Sequence, residues 1–186
     1  MVKVLRAAEA PVVPWRNGGG ITREYLKVGG DDFSWRLSMA EISHAGPFSA
    51  FAGVDRILVF LSGGGVSLSI DGGQSVRLER PLEWLRFAGE VSVDAVPLDG
   101  PSTDLNLMWR RDLWSASCSI RRIDGSQTFA AVGTVVVFIV DGELMLDDCD
   151  LAEADALVFD DDVKVLGGAA TVLWFDLTPT AGSNTI

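Results

Sequence analysis

The sequence predicts an all-β protein made of two small antiparallel β-barrels or jelly rolls, and three observations lead there. Short apolar or alternating segments recur almost throughout, separated by Gly, Asp and Pro about every eight to twelve residues. Helical periodicity is weak. Two stretches of the chain also resemble each other at an offset of about 70 to 80 residues, the scale of a duplicated supersecondary unit.

In the first part Phe33–Ala40, Arg56–Leu61, Val66–Ile70, Ser75–Leu78, Trp84–Phe87, Val91–Val96 and Asp104–Trp109 read as strands. Turns such as Ser62-Gly63-Gly64-Gly65 and Asp71-Gly72-Gly73 connect them. Cys118–Arg122, Thr134–Val140, Glu143–Leu146, Ala156–Phe159, Val163–Leu166 and Thr171–Leu177 continue the pattern, with Asp141-Gly142 read as a hairpin turn. The repeat sets Ile57–Ile70 beside Val135–Leu146, with Ile57 opposite Val135. A bicupin-like architecture is expected, with residues 1–111 forming one half and 112–186 the other, within one compact unit.

A chain of 186 residues with 48% apolar side chains can bury a substantial core. Its net charge of −11 is unevenly spread, because residues 123–186 hold 12 acidic side chains against Lys164 alone, whereas every arginine lies earlier. That field argues against nucleic acid and anionic membranes as partners and favours local capture of a small anion in the charge-balanced first part. Arg outnumbers Lys 12 to 3, and guanidinium groups hold planar carboxylates bidentately. Cys118 and Cys149 lack paired spacing, so they are expected to be small buried hydrophobes. No secretory signal or bilayer-length apolar run is evident, and a cytoplasmic location is expected.

The segment Val13-Pro14-Trp15-Arg16-Asn17-Gly18-Gly19-Gly20-Ile21-Thr22-Arg23-Glu24 combines a glycine run with aromatic, amide and guanidinium groups. Glycines let backbone N–H groups approach a ligand closely, and Arg and Asn supply planar donors. A glycine hinge leading into a strand is the plainer reading. The single histidine, His44, rules out a three-histidine metal site within one subunit. An all-oxygen site from Glu24, Glu41, Asp55 and Asp104 remains open, although no metal or other cofactor is expected.

Alternation places Trp35, Leu37 and Met39 on one face of a strand and Arg36, Ser38 and Ala40 on the other, facing either a polar cavity or water. Asp104 and Asn106 likewise oppose Leu105, Leu107 and Trp109. Asp55 either orients Arg56 or is a turn acid.

Pro14 to Gly20 with Thr22 and Glu24, then Trp35 to Ser38, Gly46-Pro47-Phe48-Ser49, Asp55-Arg56 and Asp104-Leu105-Asn106 together resemble the HutD/Ves family over most of residues 12–111. The resemblance implies a bacterial bicupin-like protein that modulates histidine utilisation by binding an intermediate such as urocanate or N-formylglutamate. It carries a presumed ligand pocket onto Trp15, Asn17, Arg36, Arg56, Asp104 and Asn106, to which Gly18, Gly19 and Ser38 are added. Arg36 and Arg56 would clamp a carboxylate while Asn17, Asn106 and Ser38 read other polar atoms. No catalytic residue is assigned. The rival reading is a metal-independent isomerase or hydrolase with Glu24, Asp104 or His44 as acid or base, and a third is a protein-binding scaffold. The second half is expected to be structural or a homodimer surface.

Overall fold

The computed structural model describes residues 2–15 and 18–180. Seventeen strands and no helix occur among them. In chain order they are β1 (Val2–Leu5), β2 (Val12–Pro14), β3 (Gly20–Val28), β4 (Trp35–Ile42), β5 (Gly46–Pro47) and β6 (Val54–Gly63). There follow β7 (Val66–Ile70), β8 (Ser75–Leu78), β9 (Trp84–Ala88), β10 (Val93–Pro97), β11 (Ser102–Arg110) and β12 (Trp114–Asp124). The last are β13 (Gln127–Ala130), β14 (Thr134–Leu146), β15 (Cys149–Leu151), β16 (Ala156–Asp160) and β17 (Val163–Pro179).

The chain divides into two compact units, residues 11–112 and residues 1–10 with 113–186. The opening ten residues therefore fall with the later half of the chain, because β1 pairs antiparallel with β16 and Arg6 reaches Asp155 at 2.6 Å. Asp155 also accepts the Ala7 and Ala152 amides, which pins this segment.

Residues 11–112 build a six-stranded sheet of order β2-β3-β4-β11-β6-β9 and a four-stranded sheet of order β5-β10-β7-β8. The other unit holds one seven-stranded sheet on the path β1-β16-β14-β17-β12, with β13 on β17 and β15 on β14. All pairings are antiparallel, and the sheets are open along these paths rather than closed barrels. The pairing order nevertheless recurs: β4-β11-β6-β9 in one unit has its counterpart in β12-β17-β14-β16, and β5-β10-β7-β8 in β13-β17-β14-β15.

Two strand assignments in the second unit differ from the sequence expectation. Asp141-Gly142 is not a hairpin turn, because the chain runs straight through as β14, and β17 likewise spans what reads as two strands. A bulge between Ile139 and Asp141 takes up the irregularity. Gly142, at φ 88°, is required there because a Cβ would lie 2.1 Å from the Ala169 carbonyl oxygen.

The matching bulge in the first unit lies where Thr103 pairs with Ser62 and Asp104 with Phe60, so that Leu61 is skipped as Val140 is skipped in the second. Aligning these bulges sets Arg56, not Ile57, opposite Val135. The apparent sequence match is thus one residue out of register, and such a slip exchanges the two faces of a strand.

The core of residues 11–112 includes Ile42, Leu58, Phe60, Val66, Leu68 and Phe87. That of the other unit includes Val135, Val137, Ile139, Phe159, Val172 and Trp174. Cys118 and Cys149 are unpaired and half-buried rather than fully buried. Burial pushes the Cys118 thiol up to about 12, which leaves it protonated and unreactive at neutral pH.

Candidate functional site

Residues 11–112 enclose a cavity of about 610 Å³, in the size range of small-molecule sites. Its floor is the central part of the six-stranded sheet. Strand period brings Arg36, Ser38 and Ala40 of β4 to this face, with Asp104, Asn106 and Met108 of β11 opposite them in register. Arg56 arrives from β6 opposite Met108. Glu24 and Thr22 of β3 form one wall, and Trp15, Phe48 and Phe51 contribute aromatic surface. The alternate residues Leu37, Leu105, Leu107 and Trp109 are also fully buried, on the reverse face of the same strands.

The polar floor is one connected chain. Arg56 Nη2 donates to Asn106 Oδ1 at 2.7 Å, and Asn106 Nδ2 donates in turn to Asp104 Oδ1. Asn106 thereby stands between a guanidinium and a carboxyl that would otherwise pair directly. As a result Arg56 Nε and Asp104 Oδ2 are buried without a hydrogen-bond partner among the described residues. A buried polar atom that makes no hydrogen bond costs about 1–3 kcal/mol.

Arg56 is only 6% exposed and lies between two rings, its Cζ 5.0 Å from the centroids of both Phe48 and Phe87. Cation–π attraction on both sides offsets part of the desolvation of the charge. Burial draws its pKa down to about 10, opposed by the negative charge of Asp104, so the guanidinium stays charged at neutral pH. Asp104 is 1% exposed. Burial raises its carboxyl to about 7 despite Arg56 and the Asn106 hydrogen bond, which both favour the ionised form.

Arg36 differs from Arg56. Its Nε is likewise buried without a well-aligned hydrogen bond among the described residues, but it lies 2.8 Å from Glu24 Oε2, so its charge is compensated within the cavity wall. Trp15 spends its indole N–H on Thr22 Oγ1 at 2.7 Å and packs edge-on against Phe48 at 6.2 Å, presenting only apolar surface.

The sequence candidates Trp15, Arg36, Ser38, Arg56, Asp104 and Asn106 thus share one cavity. Asn17, with Arg16, lies outside the described residues. Gly18 and Gly19 are not among the described lining residues, because the glycine run makes a corner instead. Gly18 N–H donates to the Trp15 carbonyl at 3.0 Å, and the Gly19 carbonyl accepts the Ser43 and His44 amides. At Gly20 a Cβ would lie 2.0 Å from the Glu41 carbonyl oxygen, so this glycine permits close strand approach. His44 is exposed on a loop.

Asp55 does not orient Arg56 but accepts from Arg86 and Arg111, each at 2.9 Å. With Glu41 accepting from Ser43 and Glu24 held by Arg36, the four acidic residues of the all-oxygen site do not converge. No group of three or more His, Cys, Asp or Glu placed to hold a metal occurs among the described residues. Phe87 went unrecognised in the sequence, although its alternation on β9 carried the signal; only the register opposite Arg56 reveals the contact.

The HutD family model matches residues 7–174. An uncharacterized 21.2 kDa protein in the hutC 3′ region of Pseudomonas putida is 38% identical over 141 residues, covering 74% of this chain and 73% of the relative. Protein Ves of Citrobacter koseri is 38% identical over 143 residues, covering 74% and 72%. The structure of HutD from Pseudomonas fluorescens SBW25 superposes with a TM-score of 0.81 at 31% identity, covering 96% of this chain and 100% of that one. At the level of fold alone, bacterial pirin YhhW from Escherichia coli superposes with a TM-score of 0.72 at 12% identity, which places the chain among cupin-like all-β proteins. With the model spanning nearly the whole length, the chain belongs to the HutD family.

Proposed function

We propose that this protein is a metal-free receptor for a small carboxylate metabolite of histidine breakdown, of the size of urocanate or N-formylglutamate, and that occupancy modulates that pathway. The observation that carries the reading is Arg56: a buried guanidinium on the cavity lining, flanked by aromatic rings, whose Nε has no hydrogen-bond partner among the described residues. Such a group is suited to one carboxylate oxygen. The aromatic surface of Trp15 and Phe48 suits a planar or apolar ligand body. The link to histidine utilisation rests on the family and on the naming of the relatives. The unit formed by residues 1–10 and 113–186 takes a structural role in this reading, supported by its filled interior. A cytoplasmic location accords with two unpaired cysteines.

Calorimetry with urocanate, N-formylglutamate, formiminoglutamate and histidine tests the proposal. At least one should bind saturably, and Arg56→Ala should weaken it at least about 100-fold, near 3 kcal/mol. Absence of binding by all four, or an undiminished affinity in the variant, refutes it.

One observation favours a second reading. A buried carboxyl raised to about 7 is poised to give or take a proton near neutrality, as an isomerase or hydrolase acid/base would. Incubation of the protein with the same four compounds, followed by mass spectrometry, distinguishes the two: a product that disappears in Asp104→Asn makes it an enzyme.

A further inference from the structure

We propose that the cavity takes up its carboxylate together with one proton held on Asp104 Oδ2, so that Asp104 is a hydrogen-bond donor to one ligand oxygen while Arg56 Nε donates to the other. The inference rests on the carboxylate-receptor reading and deepens it.

Three features of the site lead there. Asp104 lines the cavity and its Oδ1 already accepts the Asn106 amide, which leaves the buried Oδ2, without a hydrogen-bond partner among the described residues, as the atom able to carry a proton. Within the Arg56–Asn106–Asp104 network, Arg56 Nε is the other buried polar atom without a hydrogen-bond partner among the described residues. A carboxylate has two oxygens and needs two donors, and these two atoms supply both only if Asp104 is neutral.

Charge leads to the same state. The charged groups that line the same cavity as Asp104 are Arg56 on β6, Arg36 on β4 and Glu24 on β3, with the neutral Asn106 beside it on β11. Glu24 compensates Arg36. An ionised Asp104 would likewise cancel Arg56 and confront an incoming anion with a buried like charge, whereas a protonated Asp104 leaves one net positive charge for one carboxylate. The balance is simple: the ligand enters as its anion, one proton from solvent ends on Asp104 Oδ2, and no covalent bond changes. Burial, which already raises this carboxyl well above its usual range, favours the same protonation state.

Isothermal calorimetry with N-formylglutamate and 3-(2-furyl)acrylate provides the test, since neither probe titrates between about pH 6 and pH 9. For a probe that binds, affinity should fall about tenfold per pH unit on the alkaline side of the Asp104 transition. Runs in buffers of different ionisation enthalpy should register uptake of close to one proton there. Asp104→Asn keeps a neutral donor at the position, so its affinity should be independent of pH.

Affinity that is flat with pH and accompanied by no proton uptake in the unmodified protein would overturn the proposal while leaving the receptor reading intact. A pH dependence that persists unchanged in Asp104→Asn would overturn it too, by placing the proton elsewhere. If no carboxylate binds at any pH, the receptor reading fails and this inference fails with it.

Discussion

The two units share a strand-pairing order, yet where residues 11–112 place a buried polar network on a cavity, the other unit places an apolar cluster. With the bulges at Leu61 and Val140 aligned, Arg56, Asp104 and Asn106 occupy the places of Val135, Val172 and Trp174. All three counterparts belong to one apolar cluster. Trp174 packs on Phe129 at 4.8 Å and on Phe159 at 5.9 Å, and Arg121 covers its ring at 3.9 Å. Phe87 and Phe159 correspond as well: one flanks a guanidinium, the other a tryptophan. The same backbone plan therefore carries either an apolar cluster or a polar network beside a cavity. Three inward positions differ between the two, and a buried ion needs partners and space that a buried valine does not.

That comparison can be broken in three ways, of which the first has the largest effect. Trp174→Ala should cost about 3–5 kcal/mol of stability, since it empties the middle of a packed cluster. Ligand affinity of the folded protein should be unchanged. Thermal unfolding and calorimetry on one sample check both, and a large loss of affinity without a loss of stability would show that residues 113–186 share in the site.

Next, transplanting the apolar solution into residues 11–112 through Arg56→Val, Asp104→Val and Asn106→Leu together should abolish the proposed carboxylate binding. Stability should be unchanged or higher by about 1–4 kcal/mol, because apolar replacement of a buried ionic group is often favourable when every partner is removed at once. A marked drop in the urea midpoint would mean that the polar chain holds the fold together rather than serving a ligand.

The smallest effect concerns pH. Asp104 has a folded value of about 7 against a usual value of 3.8, so between these limits the native state binds more protons than the unfolded chain. Its contribution to stability is then greatest below the unfolded value and declines as pH rises through the folded one. Asp104→Asn lacks this term, so its melting temperature relative to the unmodified protein should rise by a few degrees between about pH 5 and about pH 8. An equal difference at both values would show that Asp104 is not buried in the ligand-free state.

Much of the site was legible in two short strands. The alternation of Arg36, Ser38 and Ala40 against Trp35 and Leu37, and of Asp104 and Asn106 against Leu105 and Leu107, assigns each residue a face from its number alone. The role of the glycine run was not legible, because Gly18, Gly19 and Gly20 serve carbonyl contacts to Trp15, Ser43, His44 and Glu41 that only chain folding creates. Nor was the pairing of Arg36 with Glu24, which leaves Arg56 as the cavity cation without a carboxylate in direct contact. The false hairpin at Asp141-Gly142 arose because a turn and a glycine-tolerant bulge demand the same residue.

By itself the order of residues determined the all-β class, the turn punctuation and the two-faced strands, since all of these depend on neighbours one or two places away along the chain. Register, the choice of Asn106 as the spacer between a cation and an acid, and the difference between a buried polar network and an apolar cluster were decided only in three dimensions. Each depends on which residue of a distant strand lies opposite, and a shift of a single position in that pairing would turn Arg56 and Asp104 out of the cavity.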